Sequence, residues 1–244
     1  MTIETQAIEY WDENTLLEGF FACSSSHDHP VPAILIAHTW AGRDQFVCDK
    51  TKQIAALGYA GFAIDLYGKG ILGQSSEENA KLMAPFMESR GKLQQRLKVA
   101  LQTLTSMAQV DEHRVVALGY CFGGLCALDL ARINAGIVGA VSFHGQLKSP
   151  GNRVSEPISA KILALHGHDD PMIPPSTVAE FAAEMSAADA DWQLHVYGGT
   201  AHSFTNPAAN NPAMGAVYNK VADKRSWESA CRFLTEIFKE GEMN

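Results

Sequence analysis

The stretch Arg114-Val-Val-Ala-Leu-Gly-Tyr-Cys-Phe-Gly-Gly-Leu-Cys-Ala-Leu-Asp-Leu-Ala-Arg132 changes its periodicity half-way. Val115 to Leu118 is a short apolar, β-branched run, the pattern of a buried strand. Leu125, Leu128, Asp129 and Arg132 recur at helical spacing. Between them Gly119-Tyr120-Cys121-Phe122-Gly123-Gly124 has the form G-x-nucleophile-x-G, with cysteine at the centre. A strand turning directly into a helix strains its central residue and leaves no room for bulky neighbours, which is why glycines flank it. Such a turn lifts the Cys121 sulfur to the head of the sheet at a helix N-terminus, where the helix field favours thiolate over thiol. Most cysteines merely fill space; the strand before and the helix after are the context that favours a nucleophile here.

Outward from this stretch, strands and helices alternate. Residues 2–9 and 16–23 read as an antiparallel hairpin around a Trp11–Asn14 turn. Ala33–Ala37 is a continuous apolar run, as expected of a strand covered on both faces; Ala60–Ile64, Ile137–Phe143 and Lys161–Leu165 also read as strands, and Trp192–Tyr197 alternates. Helices are expected after Asp44 (to Gly58), after Ser75 with an interruption near Pro85 and Gly91, through the Leu93, Leu97, Leu101, Leu104 stripe, after Ser176, and from Trp227 to Phe238. Residues 206–219 read as irregular, a candidate lid. The pattern predicts one α/β domain over 1–244, doubly wound around a mostly parallel sheet with helices on both faces. In such sheets ligands sit beyond the carboxyl ends of the strands.

Bulk properties exclude several classes. The 244 residues are 46% hydrophobic and 19% charged, with a formal net charge of −8. There is no basic stripe, so nucleic acid is not an expected partner. No apolar run is long enough to span a bilayer, and the acidic N-terminus is unlike a signal peptide. Five scattered cysteines without a C-x-x-C pair fit reduced thiols in a cytoplasm. No His/Cys cluster has metal spacing; His27 and His29 belong to a polar surface turn.

A nucleophile needs a base, and the base an orienting carboxylate. In hydrolases of this design the chain order is nucleophile, acid, histidine. Downstream of Cys121, Asp169 and Asp170 follow one expected strand and His202 the next. The spacing His166-Gly-x-x-Asp170-x-x-Ile173-Pro174 favours Asp170 over Asp169. His38, His144, His166 and His195 lack a comparable pattern and read as structural. Backbone donors for an oxyanion are expected at Phe122, the residue after the nucleophile, and at Trp40, in the loop after the third strand.

With these residues in hand, the chain resembles the dienelactone hydrolase family of the α/β-hydrolase fold along nearly its whole length. The resemblance is carried by Gly119-Tyr-Cys-Phe-Gly-Gly124, Asp65-Leu-Tyr67, His166-Gly-x-x-Asp170 and Gly199-x-x-His202-Ser-Phe204. It implies a Cys121–His202–Asp170 triad that cleaves lactones or small carboxylic esters without a cofactor or metal, with Thr39, Tyr67 and Phe204 at the substrate pocket. The family's founding members carry a glutamate where Thr39 stands and a carboxylate-binding arginine where Asn206 stands; Arg90 is a candidate for a second arginine. Two other readings remain: a ligand-binding protein that kept the fold without turnover, and a thioesterase or peptidase using the same triad.

Overall fold

A computed structural model describes residues 2–26, 28–152 and 154–240; His27, read above as part of a surface turn, lies outside them. The chain forms two compact units, Met1–Leu118 and Gly119–Asn244. The main sheet has eight strands and is mixed and mostly parallel.

The first unit opens with an antiparallel hairpin of β1 (Ile3–Asp12) and β2 (Thr15–Ser24). Its turn is tighter than the sequence predicts: Trp11 and Asp12 are in the strand, opposite Leu16 and Thr15, and only Glu13 and Asn14 turn. The reason is that Asp12 is a buried residue whose carboxylate receives the Arg96 guanidinium. β2 pairs antiparallel with β4 (Ala60–Ala63), which pairs parallel with β3 (Val31–Ala37). Ile34, Leu35 and Ile36 are completely buried, as a two-sided apolar run demands. α1 (Gln45–Ala56) starts where the Asp44 carboxylate accepts from the Val47 amide. α2 (Ser76–Glu88) runs through Pro85, and the break before α3 (Arg90–Thr105) falls at Ser89, whose extended backbone and hydroxyl cap the next helix. The expected Leu93, Leu97, Leu101, Leu104 stripe is the buried face of α3. β5 (Val110–Tyr120) ends this unit and begins the second.

In the second unit, α4 (Phe122–Arg132) follows β5, and β6 (Gly139–Phe143), β7 (Lys161–Gly167) and β8 (Trp192–Tyr197) pair in parallel. α5 (Pro175–Ala187) is not capped by Ser176: Pro174 occupies the cap and Pro175 the first helical position, where a missing amide hydrogen costs nothing. The segment expected to be irregular holds a short hairpin, β9 (Asn210–Asn211) and β10 (Ala216–Val217). α6 (Lys220–Glu240) begins seven residues before Trp227, because the Asn219 carboxamide accepts from the amides of Val221 and Ala222. Among the described residues no helix is long and apolar enough to cross a membrane, and no cluster of three or more His, Cys, Asp or Glu could hold a metal.

Arg132 ties this unit together from inside. Its side chain is fully buried and donates to both Glu184 oxygens on α5 (3.1 and 2.7 Å), to the Leu147 carbonyl (2.7 Å) and to Asp129 (3.4 Å). Truncating one partner of such a network leaves the others desolvated without it. Arg132→Met should therefore lower unfolding free energy by about 3–5 kcal/mol, read by urea denaturation.

Candidate active site

β5 ends at Tyr120 and α4 begins at Phe122, so Cys121 alone makes the turn. Its backbone has φ 56° and ψ −116°, a positive-φ conformation outside the regions where side-chain-bearing residues rest. Its amide is held at the end of β6, donating to the Phe143 carbonyl (3.0 Å) and to His144 Nδ1 (3.1 Å). The neighbouring glycine is required by space: a Cβ on Gly119 would sit 2.0 Å from the Gly123 carbonyl oxygen. The half-buried Cys121 side chain thus stands at the N-terminus of α4, the positive end of that helix.

His202 lies in the loop after β8. Its Nε2 is 3.1 Å from the Cys121 sulfur, and its Nδ1 is 2.7 Å from Asp170 Oδ2. Both His202 and Asp170 are 3% exposed. Asp170, after β7, is oriented by the Met172 amide, which donates to Oδ1 at 2.9 Å; Asp169 is exposed and uses its own amide on the Thr200 carbonyl. His202 is gripped by the main chain on both sides: its amide donates to the Gly215 carbonyl (2.8 Å), and its carbonyl accepts from Val217 (3.0 Å). The segment read as a candidate lid is therefore bonded to the histidine loop. Gly215, at φ 65°, lies against the ring of Pro171, where a Cβ would meet Cγ at 2.3 Å. The loop of Asp170 and that of His202 are locked through this hairpin.

Burial opposes charge on the His202 ring, but the Cys121 sulfur and the Asp170 carboxylate outweigh it, and its pKa is pushed up to about 10. His144 goes the other way: burial, with His202 adjacent, holds it well below 6.5. The sequence reading passed over His144, although it contacts the Cys121 amide; a lone histidine one residue past a strand carries no motif. Phe204, expected at the substrate pocket, has no exposed surface and packs edge-on beneath His144 (5.1 Å between ring centres) and against Tyr197. Phe122 opens α4. Thr39, Trp40 and Tyr67 belong to the first unit, where the Tyr67 hydroxyl donates to the Trp40 carbonyl at 3.0 Å. There His38 accepts the Leu66 amide on Nε2 (3.2 Å), so Nδ1 carries the proton and donates to the Thr39 carbonyl. Its ring joins the loops after β3 and β4.

The model of the dienelactone hydrolase family matches residues 17–238. The chain belongs to the dienelactone hydrolase family. Like that family it is a carboxylic ester hydrolase of the α/β-hydrolase fold. A solved dienelactone hydrolase-like promiscuous phosphotriesterase from metagenomic libraries superposes with a TM-score of 0.90 at 28% identity, over 96% of this chain and 98% of that one. A Bradyrhizobium protein named as a probable 2-oxo-3-(5-oxofuran-2-ylidene)propanoate lactonase is 26% identical, covering 96% of both chains. An uncharacterised Caenorhabditis elegans protein is 38% identical over 154 residues, 62% of this chain and 98% of its own length.

The close approach at the turn can be tested directly. Gly119→Ala would press a methyl group into backbone, which cannot yield as a side chain can. The variant should lose about 1–3 kcal/mol of stability, by analogy with overpacked cores, and lose esterase activity out of proportion to that loss.

Proposed function

We propose that this protein hydrolyses a small lactone or carboxylic ester through an acyl-cysteine intermediate, with Cys121 as nucleophile, His202 as acid and base, and Asp170 as the group that orients the ring. The observation that supports this most is the chain of sulfur, imidazole and carboxylate at 3.1 and 2.7 Å around a buried ring. In the proposed reacting form the Cys121 thiolate faces an imidazolium; the sulfur and the Asp170 carboxylate both raise the His202 pKa, to about 10. In this reading His202 takes the thiol proton, so the mechanism uses no carboxylate at the position of the family's glutamate, where Thr39 stands.

The thiolate attacks the carbonyl carbon, forming the C–S bond and moving the C=O electron pair onto oxygen. The Phe122 amide, at the start of α4, is one oxyanion donor in this reading; the other donor expected by position in the chain, Trp40, lies in the first unit. Loss of one such donor typically costs about 3 kcal/mol of barrier. When the tetrahedral species collapses, the C–O bond breaks and His202 gives its proton to the leaving alkoxide. The ring, now neutral, takes a proton from water as that water attacks the thioester, and expulsion of the thiolate restores the pair. Asp170 holds Nδ1–H throughout, so Nε2 always faces the reaction.

The substrate is proposed to lack a carboxylate. Asn206 stands where the family has an arginine, and its carboxamide oxygen is engaged by the Ala208 amide at 2.9 Å, closing its own turn. A neutral aryl ester or simple lactone should therefore be cleaved with a higher kcat/KM than a lactone bearing a carboxylate. The reverse preference would contradict the assignment.

Two further outcomes follow. Cys121→Ala and His202→Ala should each lower turnover of an activated ester to near background, at least about a thousandfold, without loss of fold by circular dichroism. Undiminished turnover by Cys121→Ala would remove the mechanism, while tight, unmodified retention of ester would favour a binding protein. The charge state gives the second outcome. Because the His202 pKa is raised above its ordinary 6.5, the imidazolium persists through neutral pH and is lost only as pH climbs through about 10. Esters with poor leaving groups should thus lose kcat on that alkaline limb. In Cys121→Ala the NMR titration of His202 should move to lower pH, since the partner sulfur is gone.

A further inference from the structure

We propose that His144 is a positioning residue, whose two ring nitrogens set the backbone of Cys121 and tie it to the loop that carries His202. This rests on the reading of Cys121 and His202 given above.

The argument begins with proton count. An amide N–H can only donate, so the Cys121 amide at 3.1 Å requires a bare Nδ1 on His144. The ring proton is then on Nε2, which donates to Thr205 Oγ1 at 2.8 Å. Thr205 is 1% exposed and lies three residues after His202. One imidazole thus reaches from the nucleophile's own amide to the histidine's loop. His144 is itself firmly placed: it is 2% exposed, and its amide donates to the Leu165 carbonyl at 2.8 Å. It also sits at φ 41°, a second strained residue bonded to the first.

The ring's surroundings fit a neutral bridge. The titratable groups that face it are Cys121, His202 (edge-on, 5.1 Å between ring centres) and Tyr120 (6.2 Å); Phe204 closes the remaining side. A protonated His144 would turn the Cys121 amide away and place two cations side by side. Burial and the neighbouring His202 both disfavour that state. Because the Cys121 amide also has the Phe143 carbonyl at 3.0 Å, losing His144 need not unfold the elbow. What it removes is the second direction that fixes where the sulfur points and how far His202 stands from it.

Side chains of different reach separate the two bonds. Asn places its amide near the Nδ1 position, able to accept from Cys121 but short of Thr205. Gln reaches toward Thr205 and past the amide, and Phe fills the space with neither bond. The experiment measures kcat and KM on a neutral aryl ester and the pH profile of iodoacetamide alkylation of Cys121. It also records the nitrogen NMR of the wild-type ring.

His144→Phe should lower kcat by about tenfold to a hundredfold with KM within about twofold, and shift the alkylation profile to higher pH. His144→Asn should recover most of the wild-type alkylation profile, whereas His144→Gln should not. The wild-type ring should show a bare Nδ1 and a protonated Nε2 near neutral pH. A cationic ring or the opposite tautomer there would overturn the proposal. So would a His144→Phe protein with the wild-type profile and kcat, or an Asn variant no better than Gln. If His144→Phe fails to fold, the Asn and Gln pair and the wild-type spectrum still decide. Turnover surviving in Cys121→Ala would instead sink the reading of the site itself.

Discussion

Everything in the second unit converges on one peptide group, the Cys121 amide. The turn from β5 to α4 is made by a single residue at φ 56°, a conformation that costs on the order of 1–3 kcal/mol and persists only where its surroundings over-determine it. Here they do. Gly119 and Gly123 touch backbone to backbone, so the strand and helix cannot separate without opening a void, nor close without a clash. Gly124 meets Gly145 in the same way, which brings the end of β6 against α4. The Phe143 carbonyl and His144 ring then receive the amide. The strain is held by packing that the glycines make possible, and its product is a sulfur standing clear of both elements at a helix N-terminus.

The second constraint is electrostatic. An imidazolium 3% exposed to water is an expensive ion unless its partners lie close and well aligned. Asp170 supplies one partner, with its other oxygen satisfied by the Met172 amide. In the proposed reacting form the Cys121 sulfur is the other. Such a chain is rigid because its loops are. The β9–β10 hairpin bonds His202 at both its amide and its carbonyl, and Gly215 packs on Pro171, the residue after the carboxylate. Backbone bonds between loops distant in the chain make these links.

Some of this was legible from the residues alone. The G-x-Cys-x-G turn declared itself because its glycines are steric requirements. The apolar run 33–37 declared a buried strand because only covered strands tolerate unbroken hydrophobicity. The spacing after His166 favoured Asp170, and Asp170 is the carboxylate that faces His202. The misreadings have a common cause. Trp11 and Asp12 resembled a solvated turn because Arg96, which buries Asp12, lies 84 residues further on. Residues 206–219 looked shapeless because their order comes from pairing with His202 and from the Asn219 cap, not from periodicity. Phe204 sat beside a motif residue and was read as pocket-lining, yet it is the floor beneath His144. For Asp12 and Phe204 the deciding partner is remote in sequence, and for 206–219 it is a backbone pairing and a cap that periodicity does not carry.

The two histidines of the site show why residue type alone could not assign roles. Their ring centres are 5.1 Å apart and both are buried, yet one is driven toward the cation and the other toward the neutral ring. The difference lies in what each nitrogen faces. His202 is flanked by a carboxylate and a sulfur, both acceptors of a proton; His144 is flanked by an amide, which can only donate, and by a hydroxyl, which can do either. Neighbouring titratable groups pushed apart in this way mark a division of labour. In the proposed mechanism the charged ring moves protons, and the neutral one beside it does not compete for them. A neutral His144 also keeps a second positive charge from accumulating behind Cys121, so the imidazolium's field is directed at the sulfur rather than shared. The state of His144 and the charge of His202 are thus one electrostatic arrangement, set by donors and acceptors that the backbone fixes first.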